Sequence, residues 1–214
     1  MSKNKPITAA EPRQTLIDLF AEFAESPVEF LQYDDGYRRW KYTYAQVGFA
    51  ARHFAVRLAE HNIHKGDKAI IWAENRPEWV VAFWGCVLAG VVVVPIDYRT
   101  SFAFLRRVQE IVDCRMVLIG DEVHLPTEEG LPLVCRLHKI EWPTTGTEAP
   151  PVNIGKDDLV EIVFTSGATG EPKGVLITHR NILADIVSPA QIIRTYRKWL
   201  RPFLPLRFLS LIFP

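Results

Sequence analysis

DLVEIVFTSGATGEPKGVLITHRN, residues 158–181, passes from an apolar run (Leu159 to Phe164) through a loop of glycines and hydroxyls into a second β-branched run, Val175-Leu176-Ile177. Extended character on both sides of a glycine-rich loop predicts strand, loop, strand. Gly167, Gly170 and Gly174 permit positive φ and let backbone N–H groups approach a ligand with no Cβ in the way. Thr165, Ser166 and Thr169 add hydroxyls, and Lys173 adds a cation. Such a loop suits a polyphosphate.

Two other phosphate-binding loops are excluded by the same residues. A Walker loop needs Gly-Lys followed by Ser or Thr at the start of a helix, whereas here Pro172 precedes Lys173, Gly174 follows it and the chain then turns β-branched. The dinucleotide fingerprint fails on glycine spacing and on the absence of a helix opening at the last glycine.

At FTSGATGEPKGV and the triplet His179-Arg180-Asn181, the sequence resembles the adenylate-forming synthetase superfamily, which contains acyl-CoA synthetases, luciferases and peptide-synthetase adenylation domains. KYTYAQV (41–47) and GDKAIIWAENRPEWVVAFWGCVLAGVVVVPID (66–97) look like the first segments of acyl-CoA synthetases, and ENRPEW (74–79) is similar to long-chain fatty acid ligases in particular. The resemblance implies an α/β fold of mostly parallel sheets with helices on both faces. It implies that Thr165, Ser166, Gly167, Ala168, Thr169, Gly170 and Lys173 hold the phosphates of ATP. The reaction it implies converts a fatty acid and ATP to acyl-adenylate and pyrophosphate, then to acyl-CoA and AMP, with CoA as co-substrate and Mg2+ assisting. In that family the adenine pocket, the magnesium-binding Glu, the ribose-binding Asp and the lysine of a mobile lid lie further along, without counterparts in these 214 residues. The expectation is therefore a frayed leader (1–10) and a partial AMP-binding domain (11–214), with no complete catalytic or metal-ligating set and negligible ligase activity alone. A non-catalytic module that binds nucleotide or a partner subunit is the other reading.

Composition narrows the class. Lys plus Arg and Asp plus Glu are 25 each, so no global field draws the chain to nucleic acid. Hydrophobic residues make up 48%, enough for a substantial core. Cys86, Cys114 and Cys135 lack metal-site spacing and sit in apolar surroundings, which reads as reduced core thiols of a cytoplasmic protein. No stretch is long and apolar enough for a transmembrane span. The aromatic, basic segment from Trp199 to Pro214 leaves room for peripheral membrane contact, although its apolar LRFLSLIF reads better as a buried strand.

Along the chain, Leu16, Leu19, Phe20 and Phe23 predict a helix ending near Pro27, followed by a hairpin turning at Asp34-Asp35-Gly36. Thr43 and Gln46 form the capping box of a helix running to His61 and expected to pack on a sheet. A strand at Lys68–Ala73, a helix opened by Pro77 and closed by Gly90, a strand from Val91 towards Asp97, a helix from about Ser101 to Asp113 and a strand at Met116–Ile119 imply right-handed βαβ crossovers. Residues 121–156 are proline-rich and predict a subdomain boundary, with one further strand near Leu131–Leu137. Trp79, Phe83 and Trp84 suit core packing better than an acyl-chain wall, and Asp97 suits a turn better than a ligand contact. Thr178 caps a last helix, kinked at Ser188-Pro189 and resuming through Ile192 to Trp199, in which His179 faces water.

Overall fold

The computed structural model describes residues 13–166 and 171–186. Its elements are α1 (Leu16–Phe23), β1 (Glu29–Asp34), β2 (Arg39–Thr43), α2 (Tyr44–Glu60), β3 (Lys68–Ala73), α3 (Pro77–Ala89), β4 (Val92–Asp97), α4 (Phe102–Val112), β5 (Met116–Ile119), β6 (Leu133–Arg136), a 3-10 turn (Leu137–Lys139), β7 (Leu159–Ser166) and β8 (Pro172–Thr178). A further helix, α5, occupies 179–186. The kink at Ser188-Pro189 and the strand expected near the end of the chain lie outside the described residues.

Local chemistry sets the boundaries. Thr43 Oγ1 accepts the Gln46 N–H at 3.2 Å while Gln46 Oε1 accepts the Thr43 N–H at 2.8 Å, so two of the orphan amides at the start of α2 are satisfied by this box. Pro77 opens α3 where no intrahelical N–H is needed, and Gly90 ends it at φ 68. Ser101 Oγ caps α4 by accepting the Phe104 N–H, and Asp113 ends that helix in the left-handed region.

The main sheet runs β6-β5-β3-β4-β7-β8, with every neighbouring pair parallel except β7 and β8. From β3 the chain steps to β4 through α3; from β4 it crosses back over β3 to β5 through α4. The direction of travel reverses and so does the face used, which keeps both crossovers the same hand. Alternate residues of the strands build two cores. Ala69, Ile71, Val93, Met116 and Leu118 pack with α2 and α3. Ile70, Trp72, Val94, Val117 and Ile119 pack with Leu105 and Val108 of α4 on the other side.

Two expectations change in detail. Helix α2 beds chiefly on α3 rather than directly on the sheet: a Cβ at Gly85 would lie 2.6 Å from Phe54 Cδ1 and 3.0 Å from the Ala51 carbonyl oxygen, so Gly85 is what lets the two helices close. Residues 121–156 do not separate two sheets, because β6 within them pairs with β5 in register from Met116↔Leu133 to Ile119↔Arg136. The aromatic stripe is half-buried and packs against the core. Trp79 stacks on Phe83 at 5.7 Å, Phe83 meets Trp84 edge-on, and Trp84 packs on Phe20 and Phe23 of α1. All three cysteines are free, and burial pushes the Cys86 and Cys114 thiols up to about 12.

Candidate functional site

The strand–loop–strand predicted for the glycine-rich stretch is an antiparallel hairpin, at one edge of the sheet among the described residues. Thr165 pairs with Lys173 and Ser166 with Pro172 on its last rungs; Gly167, Ala168, Thr169 and Gly170 lie outside the described residues. Residues directly opposite in a ladder share a face, so the exposed side chains of Thr165 and Lys173 project to the same side at the mouth of the loop. Lys173 makes no ion pair with any described residue.

Gly174 serves a different purpose from the one its loop position suggests. It adopts no positive φ and lies in β8 opposite Phe164, where a Cβ would sit 2.9 Å from Ile162 Cγ2 and 3.2 Å from Phe164 Cζ. Its missing side chain makes room for the Phe164 ring, so Lys173 is held on a strand rather than on a mobile turn.

The base of the hairpin is tied down on both sides. Asp158 accepts from Lys65 Nζ at 2.6 Å and from the Gly155 N–H at 2.7 Å, and the Lys65 ammonium holds its carboxyl below the usual range. Thr178 and Asn181 exchange caps at the start of α5: the Thr178 N–H donates to Asn181 Oδ1 at 3.0 Å and the Asn181 N–H to Thr178 Oγ1 at 3.3 Å.

His179, expected to face water, is instead 2% exposed. Its Nδ1 accepts the Leu16 N–H, the first amide of α1, at 3.0 Å. That role needs a neutral ring, and burial pushes its pKa down against the opposing pull of Asp158 and Asp18. Helix α1 covers this corner by packing Leu16 with Val87, Val160 and Leu183. The partner lies 163 residues away, so no local signal marks it.

A second set of polar residues gathers at the carboxyl ends of β3 and β5. Arg76, largely buried, reaches Glu74 at 3.1 Å, Glu78 at 2.9 Å and Asp121 at 2.5 Å, while Glu74 accepts the Asp121 and Glu122 N–H groups. ENRPEW is thus a clamp between the β3–α3 and post-β5 loops, with Arg76 as its hub. The sequence signal was an arginine flanked two residues away on each side by glutamate. Asp97, at the β3/β4 switch point, behaves as the turn former it was expected to be: it accepts the Arg99 N–H and pairs with the Arg99 guanidinium, which holds its carboxyl down to about 2.

The family model for AMP-binding enzymes matches residues 20–209. The chain belongs to the AMP-binding enzyme family. Among curated relatives, the crotonobetaine/carnitine–CoA ligase of Escherichia fergusonii is 32% identical over 166 residues, covering 66% of this chain and 31% of the ligase. Surfactin synthase subunit 2 of Bacillus subtilis is 35% identical over 150 residues, covering 69% of this chain and 4% of the synthase. Among solved structures, o-succinylbenzoate CoA synthetase from Bacillus subtilis, in complex with the acyl-adenylate intermediate OSB-AMP, superposes with a TM-score of 0.70 at 25% identity, covering 84% of this chain and 46% of that one. This AMP-binding chain therefore spans about a third of the carnitine ligase it matches. Among its described residues no helix is long and apolar enough to cross a membrane.

Proposed function

We propose that this chain supplies the ATP phosphate-binding hairpin of a fatty acid–CoA ligase. The observation that carries the reading is Lys173, held without an ion-pair partner among the described residues, on a strand opposite Thr165 at the mouth of the Ser166–Gly170 loop. In adenylate formation a carboxylate oxygen attacks the α-phosphorus of ATP, the bond to the bridging oxygen breaks, and pyrophosphate leaves with the electron pair. Negative charge grows on the β-phosphate. An ammonium at Lys173, the hydroxyls of Thr165, Ser166 and Thr169 and the loop amides of Gly167, Ala168 and Gly170 are the groups suited to meet it. Their work is to bind and orient the leaving group.

The choice of acid rests on the resemblance of ENRPEW to long-chain fatty acid ligases, and transfer to CoA rests on the same resemblance. Relatives named for carnitine, surfactin and o-succinylbenzoate keep the acid open to test. Among the described residues no group of three His, Cys, Asp or Glu side chains comes together as a metal site.

The test is equilibrium binding of ATP and of tripolyphosphate to the 214-residue chain. Lys173→Ala removes a charged hydrogen bond worth about 1.5–3 kcal/mol and weakens both ligands at least tenfold. Equal affinity in the variant and the parent would remove the hairpin from the mechanism. Palmitate, crotonobetaine and amino acids then compete in ATP–pyrophosphate exchange by this chain extended to the length of the carnitine ligase, and palmitate is expected to support the fastest exchange.

A further inference from the structure

Away from the hairpin, at the opposite end of the sheet, a cavity of about 250 Å³ lies between the carboxyl half of α2, the first residues of β5 and β6, and the chain just after the 3-10 turn. Its floor is apolar: Phe54, Leu58, Met116, Val134 and Ile140. Its rim is formed by Arg57 from α2, by His61 just past the end of that helix and by Lys139. The one carboxylate on the wall, Glu141, is mostly exposed and stands 3.2 Å from His53. That approach misses hydrogen-bond geometry and leaves the buried His53 Nε2 without a hydrogen-bond partner among the described residues. Arg57 is paired with Glu60 at 2.6 Å, whereas Lys139 makes no ion pair with any described residue.

We propose that this cavity is a second ligand site, taking a small molecule with an apolar body of about six carbons and a single anionic head, seated against Lys139 and His53. The floor removes the body from water, the ammonium meets the charge, and the head group satisfies the orphaned imidazole nitrogen. The Cys135 thiol on its wall feels Lys139 and Arg57 as favouring negative charge, although burial dominates and raises its pKa. The parallel strands place this site at the amino ends of β5 and β6, while the phosphate loop leaves the carboxyl end of β7. One ligand cannot span both. A carboxylate and an alkyl phosphate share the required chemistry, and the experiment separates them.

The sequence contains two methionines, Met1 and Met116, so methyl-13C methionine gives two NMR signals and one of them reports from the cavity floor. The full 214-residue chain is titrated with hexanoate, hexyl phosphate and hexanol. The Met116 signal is expected to move saturably with one or both anions, the lower midpoint naming the head group, while hexanol needs at least tenfold more. Lys139→Gln, an exposed change, raises the anion midpoint at least fivefold, and Lys173→Ala leaves it unchanged. An unmoved Met116 signal, equal midpoints for hexanol and the anions, or indifference to Lys139→Gln would each overturn the proposal. A midpoint shifted by Lys173→Ala would transfer the binding to the phosphate hairpin and equally overturn it. Loss of ATP binding in Lys173→Ala with an unchanged Met116 titration separates this site from the function proposed above.

Discussion

The β3–β4 pair and the β7–β8 pair belong to one sheet but are built on opposite terms. In the first, six residues run in unbroken parallel register from Lys68↔Val92 to Ala73↔Asp97, and both faces are covered by helices. In the second, an antiparallel hairpin has a register shift between Leu159 and Glu161, and its outer strand leaves Val175 and Leu176 exposed. Burial is concentrated where no side chain is free to meet a ligand, and the groups proposed to bind phosphate sit on the pair that forms the sheet's edge among the described residues. A phosphate loop needs backbone amides and a lysine that nothing else has claimed, and a strand packed on both faces offers neither.

The sharpest way to break that contrast is a matched pair of truncations. Ile71→Ala empties a fully buried position in the centre of the sheet and is expected to cost about 2–5 kcal/mol in urea denaturation. Leu176→Ala removes a residue that is 61% exposed and is expected to change stability by no more than about 0.5 kcal/mol. Comparable losses in the two variants would mean that β8 is covered and that the contrast is wrong.

The hairpin's anchoring gives the next effect. His179→Phe keeps the volume buried but leaves the Leu16 N–H without its acceptor, at a cost of about 1–3 kcal/mol near pH 7. The folded pKa of His179 is depressed, so below about 6.5 the unfolded chain binds a proton that the folded chain refuses. Stability of the parent therefore falls as pH drops through that window, and His179→Phe removes this part of the slope. Denaturation midpoints for both proteins between pH 7.5 and pH 5 measure it; parallel profiles would show that the ring does not titrate at the α1 junction.

The same contrast explains what the sequence disclosed. Lys68–Ala73 was legible as a strand to the residue because an apolar run between Gly66-Asp67 and Asn75-Arg76-Pro77 leaves few alternatives, and Thr43, Gln46 and Gly90 marked helix ends by chemistry that acts within four residues. The strand–loop–strand of the β7–β8 hairpin was legible for the same reason: its apolar runs and the glycine-rich stretch between them are contiguous. The bedding of α2 on Gly85, the burial of His179 under α1 and the joining of β6 to the main sheet were not, because each depends on a partner far along the chain. Arg76 stands between the two cases. Its glutamates at both sides were visible, but Asp121, which completes the clamp 45 residues later, was not.

The smallest effect carries the opposite sign to that of His179. Glu161, half-buried on β7 just past the register shift, has its pKa raised by burial, and its carboxylate makes no ion pair with any described residue. An acid whose folded pKa lies above its unfolded value binds more protons folded than unfolded, so its contribution declines as pH rises from about 4.5 through the raised value. Glu161→Gln keeps the shape and removes the cost of ionisation. It should therefore match the parent at pH 4 and exceed it at pH 7 by up to about 1 kcal/mol. No titratable side chain lies in β3 from Ala69 to Ala73 or in β4 from Val92 to Ile96, so these buried positions add nothing to the slope over the same range. If Glu161→Gln is instead less stable at pH 7, the carboxylate has a favourable partner, and the edge of the sheet is sealed more fully than its exposed strand implies.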